Sequence, residues 1–348
     1  MLVNVQRSVV WRWALAVVMV SMFVANTPAH ADPIAIEWVT VGDPGNANDI
    51  PLQDSDAVFG AVAYSYRIGK YNVTIGEYAA FLNAVAATDT YSLYNPSMGS
   101  DGNIKGIQQD GSSGSYTYSV IGSADRPITY VSWFDAARFA NWMTNGQGSG
   151  STETGAYTLN GATSGDAVAA NPGAAFRLPT ENEWYKAAYY SPTLNSGTGG
   201  YYAFATQSDD APGNTIGSAA NQANYNTGSG FSVTQSSSYD SNQNYLTDVG
   251  AFSGSGSYYG TFDQSGNVFQ WIDMDGGSGL RGGSWGFSIA FGLSSSYSDP
   301  AAASNENGEY GFRLASPVAP VPEPSTYAMA LAGLACGGWS MFRRRKRA

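Results

Sequence analysis

The stretch between residues 32 and 322 contains neither cysteine nor histidine, because the single histidine is His30 and the single cysteine is Cys336. Such a stretch cannot close a disulfide, and it lacks the two commonest ligands of transition metals. It also has no thiol nucleophile and no Cys–His or Ser–His–Asp arrangement. The fold must therefore be held by its own core. Its chemistry is limited to carboxylates, amides, hydroxyls, aromatic rings and nine lysine and arginine side chains.

The N-terminal residues resemble a secretory leader. Arg7 and Arg12 precede an apolar run over residues 13–24, and Ala29-His30-Ala31 forms a small-x-small cleavage pattern. We predict a signal peptide over residues 1–31. A membrane anchor is the alternative, but the apolar run is shorter than the roughly 20 residues of a spanning helix.

The C-terminal residues have three parts. Residues 321–326 read Val-Pro-Glu-Pro-Ser-Thr, residues 327–342 are apolar, and residues 343–347 are all basic. The positive-inside bias predicts that the apolar part enters the inner membrane with the basic cluster in the cytoplasm. This tail resembles the PEP-CTERM sorting signal of Gram-negative bacteria. The resemblance implies processing by an exosortase and delivery to the cell surface or extracellular matrix; a plain single-pass anchor would give the same topology.

Between these ends we predict one domain over residues 32–316, followed by a linker at 317–320 and the sorting and anchor segment at 321–348. Without the leader and the tail, the chain keeps nine basic and 26 acidic residues, so its net charge is near −17. A body this acidic repels nucleic acid and anionic lipid, and it attracts divalent cations. Nucleic acid is therefore excluded as a partner.

The body contains three clear helix starts, each with a capping box in which a hydroxyl and a carboxylate three residues later satisfy free backbone N–H groups. The pairs are Thr74 with Glu77, Ser132 with Asp135, and Thr180 with Glu183. Short strands are predicted at residues 36–41, 66–71, 268–272 and 311–314. Few helices, short strands and long loops rich in Gly, Ser, Asn and Tyr indicate an α+β domain.

Six segments carry a family resemblance in the order in which they occur. They are Tyr-Asn-Val-Thr-Ile-Gly-Glu-Tyr at 71–78, Arg-Pro-Ile-Thr-Tyr-Val-Ser-Trp at 126–133, Phe-Arg-Leu-Pro-Thr-Glu-Asn-Glu-Trp at 176–184, Phe-Asp-Gln-Ser-Gly-Asn-Val-Phe-Gln-Trp at 262–271, Arg-Gly-Gly-Ser-Trp at 281–285 and Gly-Phe-Arg at 311–313. They resemble the sulfatase-modifying-factor (formylglycine-generating enzyme) family. The resemblance implies a variant of the C-type-lectin-like fold, in which low regular secondary structure is combined with long loops. It also suggests a scaffold role for Arg177 and Arg313.

The resemblance fails at the catalytic positions. Active members bind copper through two cysteines after the Gly-Gly-Ser-aromatic motif, and the matching positions here are Phe287 and Gly292. Neither can ligate copper, which needs thiolate, thioether or imidazole. We expect no copper. Iron-dependent relatives hold their metal through histidines, which the body lacks.

The resemblance also implies two structural calcium ions, whose oxygen-rich ligands would be loop residues. The first set comprises Asp263, the carbonyls of Gly266 and Val268, and Gln270, which stands where glutamate is usual. The second set comprises Asn224, the Tyr225 carbonyl, Asp240 and the Asn242 carbonyl. Plain turn formation by Asp and Asn is the alternative for both sets.

Three functions are compatible with these residues. The first is a non-catalytic binding or structural protein of the cell surface or exopolysaccharide matrix, with exopolysaccharide or surface proteins as partners. The second is a carboxylate-based hydrolase, for which the uncapped glutamates are Glu37, Glu153, Glu306 and Glu309. It requires two carboxyl groups at about 5–9.5 Å, one with a raised pKa. The third is a formylglycine-forming oxidoreductase, whose metal ligands are absent.

Overall fold

The computed structural model describes residues 33–49, 58–274 and 277–318. The predicted leader lies outside these residues, and so does the sorting segment with its predicted membrane-spanning stretch at 327–342. Among the described residues, none of the helices combines the length and the apolar character that a membrane span needs.

All three predicted helices are present, and each begins at its predicted capping box. They are α1 (Ile75–Val85), α3 (Trp133–Thr144) and α4 (Glu181–Tyr189), with Thr74, Ser132 and Thr180 as the capping residues. Both bonds of the box form in each case; at α1, for example, the Thr74 N–H donates to Glu77 Oε2 at 2.8 Å. The sequence did not predict a short α2 (Ser97–Ser100) or a turn at Leu194–Gly197 with left-handed Asn195 and Ser196.

Helix α3 is the central helix of the domain. The sequence predicts one apolar side, but every residue from Trp133 to Met143 is buried. Phe139 contacts aromatic rings from two other elements, Phe81 of α1 at 5.4 Å and Phe312 at 5.3 Å between centroids. A helix surrounded on all sides by protein buries its polar residues too, and these must find partners.

In the part of the chain that the structure describes, ten short strands form four small sheets. The strands are β1 (Trp38–Val41), β2 (Tyr66–Gly69), β3 (Ile107–Asp110), β4 (Thr117–Val120), β5 (Tyr190–Ser191), β6 (Gly200–Tyr201), β7 (Phe269–Asp273), β8 (Ser278–Arg281), β9 (Tyr310–Gly311) and β10 (Ala315–Pro317). The sheets have the orders β1-β2-β10, β3-β4, β5-β6 and β8-β7-β9. All pairs are antiparallel except β7 with β9, which is parallel.

Three of the four predicted strands are present in the described residues with different bounds, and the first begins at Trp38. The strand predicted at 311–314 is wrong, because residues 312–314 form no strand and lie between β9 and β10. There Phe312 packs against Phe139 of α3 while Arg313 enters a buried hydrogen-bond network. These interactions replace the ladder bonds that a continuous strand would make.

Arginine side chains tie the loops together, as the sequence predicts. Arg177 forms a two-bond ion pair with Glu183, at 2.5 and 2.6 Å. Arg313 is fully buried and donates hydrogen bonds to the carbonyl oxygens of Gly69, Lys70 and Phe262, which belong to two distant segments of the chain. The planar guanidinium suits this role because its five donors have fixed directions.

Candidate functional site

The two positions that match the family's copper-binding cysteines lie against each other. Phe287 and Gly292 follow the Gly282-Gly283 turn after β8, where φ angles of 100° and 73° require glycine. A Cβ atom built on Gly292 would lie 2.1 Å from Cε1 of Phe287. The fold therefore brings the pair together, as a two-ligand site needs, but the Phe287 ring already fills the space of a second side chain.

The surroundings of Phe287 are aromatic. Its ring centroid lies 5.6 Å from that of Phe269 and 5.3 Å from that of Tyr297. Phe291 and Ile289, on the neighbouring segment, are 37% and 57% exposed. Across the described ranges, no group of three or more His, Cys, Asp and Glu side chains is placed to hold a metal ion. The family's catalytic position is thus an apolar surface in this chain.

The first predicted calcium set is brought together, but both of its side chains already accept hydrogen bonds. Gln270 Oε1 accepts from Trp184 Nε1 at 2.7 Å and from Arg313 Nε at 2.6 Å. Gln270 Nε2 donates to the Asp263 carbonyl at 2.6 Å, and Asp263 Oδ2 accepts from the Gly250 N–H at 2.7 Å. Two of the oxygens predicted to bind calcium, Gln270 Oε1 and Asp263 Oδ2, are therefore used within the protein.

A buried positive charge also lies beside this set. The carbonyl of Gly266 accepts from the Val268 N–H at 3.0 Å, and the Arg313 guanidinium lies against Gln270. Burial lowers the pKa of Arg313 to about 9, although the charge of Asp263 acts in the opposite direction. Like charges in a poorly screened interior repel strongly. The residues of the first set do not fit a calcium ion.

The second predicted set is divided between the interior and the surface. Asn224 and Tyr225 are buried, whereas Asp240 and Asn242 are exposed. Asn224 Nδ2 donates to the Tyr245 carbonyl at 2.9 Å, while the Asp240 N–H donates to the Tyr245 hydroxyl at 2.8 Å. The two halves of the set therefore lie at opposite ends of Tyr245. Asp240 Oδ1 accepts from the Asn242 N–H at 2.8 Å, as in a plain Asx turn.

Each of the four glutamates outside the capping boxes bonds to a different partner. The pairs are Glu37 with Lys70, Glu153 with Arg138, Glu306 with Asn95 and Glu309 with Ser284. The carboxylates that do gather lie elsewhere, around the start of α1.

The described residues enclose a cavity of about 570 Å³ at the N-terminus of α1, which we call the acidic cavity. The walls contain four carboxylates, one aromatic ring and one buried amide. These are Glu37, Glu77, Asp125, Asp248, Tyr71 and Asn72. A volume in the range of about 300–1,000 Å³ is typical of small-molecule sites.

Glu77 is the carboxylate of the capping box at the start of α1. Burial raises the pKa of its carboxyl to about 7, the bonds from Thr74 lower it, and the charges of Asp125 and Glu37 raise it further. A carboxylic acid of this kind is near half-protonated at neutral pH. Perturbed carboxyl groups in clefts are candidates for functional roles, and the sequence showed Glu77 only as a cap.

Asp125, Asp248 and Asn72 complete the polar wall. Asp125 and Asp248 are exposed, and their carboxylates form no hydrogen bond or ion pair with other described residues. Asn72 is 2% exposed; its Oδ1 accepts from Arg313 Nη2 at 2.9 Å, but its Nδ2 has no partner in the described structure. The sequence carried no signal for this grouping, because the residues come from loops far apart along the chain.

The motifs, the helices and the small sheets define the class of protein. The chain belongs to the sulfatase-modifying factor family, because the sulfatase-modifying factor enzyme 1-like domain matches residues 47–318. The α+β fold predicted as a C-type-lectin-like variant is confirmed. This member also carries the PEP-CTERM protein-sorting motif at residues 320–346, which supports export to the surface of a Gram-negative bacterium.

Several solved structures are similar in fold. The crystal structure of CarF is 21% identical, with a TM-score of 0.49, and the match covers 82% of this chain and 99% of that one. Treponema denticola variable protein 1 is 19% identical, with a TM-score of 0.47 and coverage of 81% and 95%. PvdO from Pseudomonas aeruginosa is 19% identical, with a TM-score of 0.42 and coverage of 81% and 92%. No curated protein matches this chain in sequence.

Proposed function

We propose that this protein is a non-catalytic binding or structural component of the cell surface or exopolysaccharide matrix. The observation that carries the proposal is the contact between Phe287 and Gly292. The framework around the family's metal position is complete, yet a phenyl ring occupies the space of its ligands. An apolar ring can neither bind copper nor activate oxygen.

The sequence of the tail supports the route to the surface. A membrane-spanning stretch at 327–342 would hold the body outside the inner membrane until an exosortase-type enzyme processes the Pro-Glu-Pro motif. Cells that express the chain with Glu323→Ala should retain it in the inner-membrane fraction, whereas the unaltered chain reaches the surface fraction. Equal distribution of the two chains would contradict this route.

The non-catalytic part is tested with a sulfatase-type peptide that contains the substrate cysteine. The purified protein, supplied with copper and oxygen, should leave the cysteine unchanged by mass spectrometry. An active formylglycine-forming enzyme run in parallel is the positive control. Conversion of the peptide would overturn the proposal.

A carboxylate-based hydrolase is the second candidate, and the acidic cavity is the observation that favours it. Glu77, whose pKa is raised to about 7, shares this cavity with Asp125 and Asp248, which suits an acid and a base. We rank it second because the Glu77 carboxylate already caps α1 through the Thr74 N–H. Release of sugar ends from polysaccharide that Glu77→Gln abolishes would establish it, since glutamine can still accept the cap bond.

A further inference from the structure

We propose that the acidic cavity binds an amino sugar, namely a hexosamine unit with a free, protonated amine within a polysaccharide. The inference rests on the proposed function, because it gives the binding protein a ligand class. It follows from four properties of the cavity: its excess of negative charge, two neighbouring carboxylates without partners among the described residues, one unpartnered amide donor and one aromatic wall.

The negative charge of the cavity favours a cationic ligand. Four carboxylates line it, and Lys70 is the nearby base, with its Nζ 3.2 Å from Glu37 Oε2 and 4.9 Å from the centre of the Tyr71 ring. Lys70 therefore forms an ion pair with one of the four carboxylates, that of Glu37. Asp125 and Asp248 have no such partner among the described residues. A ligand that brings a positive charge would supply it.

The pairing of the carboxylates favours an organic cation over a metal ion. Asp125 and Asp248 come from two loops that the fold brings side by side, since the Val249 N–H donates to the Asp125 carbonyl at 2.9 Å. In the described ranges, neither these acids nor any others converge into a group that could hold a metal. A protonated amine does not need three convergent oxygens, because each of its N–H groups can bond a separate acceptor.

The Asn72 amide favours a ligand that also carries a hydrogen-bond acceptor. Arg313 holds Asn72 Oδ1, so the orientation of the amide is fixed, and its buried Nδ2 is the donor left without a bond. An unpaired buried donor is unfavourable, and native structures nearly always satisfy it. A sugar hydroxyl or ring oxygen can accept this bond when the ligand displaces the atoms that cover the amide. A fully protonated polyamine has no acceptor, so Asn72 favours a sugar.

Tyr71 provides the apolar wall. The ring is half-buried and rests on Phe262, with 5.7 Å between the ring centroids. Gly250 packs closely against it, since a Cβ atom there would be 2.7 Å from Tyr71 Cε1. A ring held this firmly presents a fixed apolar surface beside hydrogen-bonding groups, an arrangement suited to the apolar face of a pyranose.

The experiment measures binding of a β-1,4-linked glucosamine tetramer to the purified protein by calorimetry at fixed ionic strength. The tetramer should bind, while the fully N-acetylated tetramer and cellotetraose, which lack the charge, should bind about twentyfold more weakly. Spermidine serves as a probe with charge but no sugar, and it should also bind more weakly than the glucosamine tetramer.

Matched variants locate the site. Asp125→Asn and Asp248→Asn should each weaken binding of the glucosamine tetramer about fivefold, and the double variant about twentyfold. Asp166→Asn is the control, because Asp166 is an exposed acid outside the cavity whose loss changes the net charge equally. It should leave the affinity unchanged. Equal loss in all three single variants would mean non-specific attraction and would overturn the site.

The remaining outcomes separate this inference from the function on which it rests. Absence of tetramer binding, or equal binding of the N-acetylated form or of spermidine, overturns the amino-sugar site and leaves the non-catalytic proposal standing. Mass spectrometry of the tetramer after incubation gives the converse test. A tetramer that binds and is cleaved would support the site and overturn the non-catalytic role.

Discussion

The region around Phe287 and the acidic cavity differ in whether contacts within the protein satisfy them. At Phe287 the framework motifs are intact, but the centre is filled by an aromatic ring that packs on Phe269 and Tyr297. At the acidic cavity the first family motif, residues 71–78, forms part of the wall, and space, negative charge and an unpartnered amide coincide there. The first region is satisfied internally, whereas the second is not.

This difference shows that the framework motifs of the family specify the fold rather than the chemistry. Residues such as Arg313 and the Gly282-Gly283 turn are needed for the loops to close whatever the protein does. Unsatisfied polar groups are a better guide to function, because a chain has no energetic reason to bury them without a ligand or water.

The largest effect is expected from Arg313→Met, which tests whether the cavity depends on the buried scaffold. The substitution would leave acceptors of Arg313 unpaired, including Asn72 Oδ1 and the Phe262 carbonyl. We expect a loss of about 3–5 kcal/mol in the free energy of unfolding, measured by urea denaturation. Arg67→Met, on a half-buried arginine, is the control and should cost about 1 kcal/mol or less. A similar loss in both variants would contradict the scaffold role.

The next effect is a pH dependence of stability. Burial raises the pKa of Asp135 to about 7, as it does for Glu77, so the folded protein binds more protons than the unfolded chain between about pH 4 and 7. Stability should therefore be greatest below this window and fall as pH rises through it, by roughly 3–4 kcal/mol for each of the two groups, since a shift of one pKa unit is about 1.4 kcal/mol.

The measurement is urea denaturation at intervals from pH 5 to pH 8. Asp135→Asn keeps an oxygen that can accept from the Ser132 N–H and hydroxyl, so it should flatten the profile without unfolding the protein. Glu77→Gln should flatten the profile further, which would show that Glu77, a residue of the acidic cavity, is one of the titrating groups. A stability that rises across this range would refute the assignment.

A smaller effect is expected at the filled position, where a double-mutant cycle measures the contact directly. Gly292→Ala should cost about 1–3 kcal/mol, because its new methyl group meets the Phe287 ring. In a Phe287→Ala background the same substitution should cost less than about 0.5 kcal/mol. Thermal or urea unfolding of the four proteins gives the coupling. Equal costs in both backgrounds would show that the ring does not fill this space.

The smallest effect is expected from calcium. The oxygens of the Asp263 set are occupied and Arg313 lies beside them, so addition of calcium or of a chelator should move the unfolding midpoint by less than about 2 °C. A clear rise with calcium, lost in Asp240→Asn, would instead support the second predicted set.

Local sequence predicted the helices well and the strands less well. A capping box is a short-range hydrogen-bond pattern, so Thr74 with Glu77 could be identified without knowledge of the remaining fold. The strand predicted at 311–314 was wrong, because Phe312 packs against α3 and Arg313 donates hydrogen bonds to distant segments. The complete burial of α3 was also missed, since its polar residues suggested a surface face.

By itself, the sequence determined the family, the three helix starts, the sorting signal and the absence of copper ligands at Phe287 and Gly292. These features depend on residues close together in the chain or on residue type alone. The tertiary structure decided the rest. It placed the Phe287 ring against Gly292, paired Gln270 Oε1 of the first calcium set with Arg313 and gathered Glu77, Asp125 and Asp248 around one cavity. Contacts between residues separated by a hundred positions or more arise only when the loops close, and no local pattern records them.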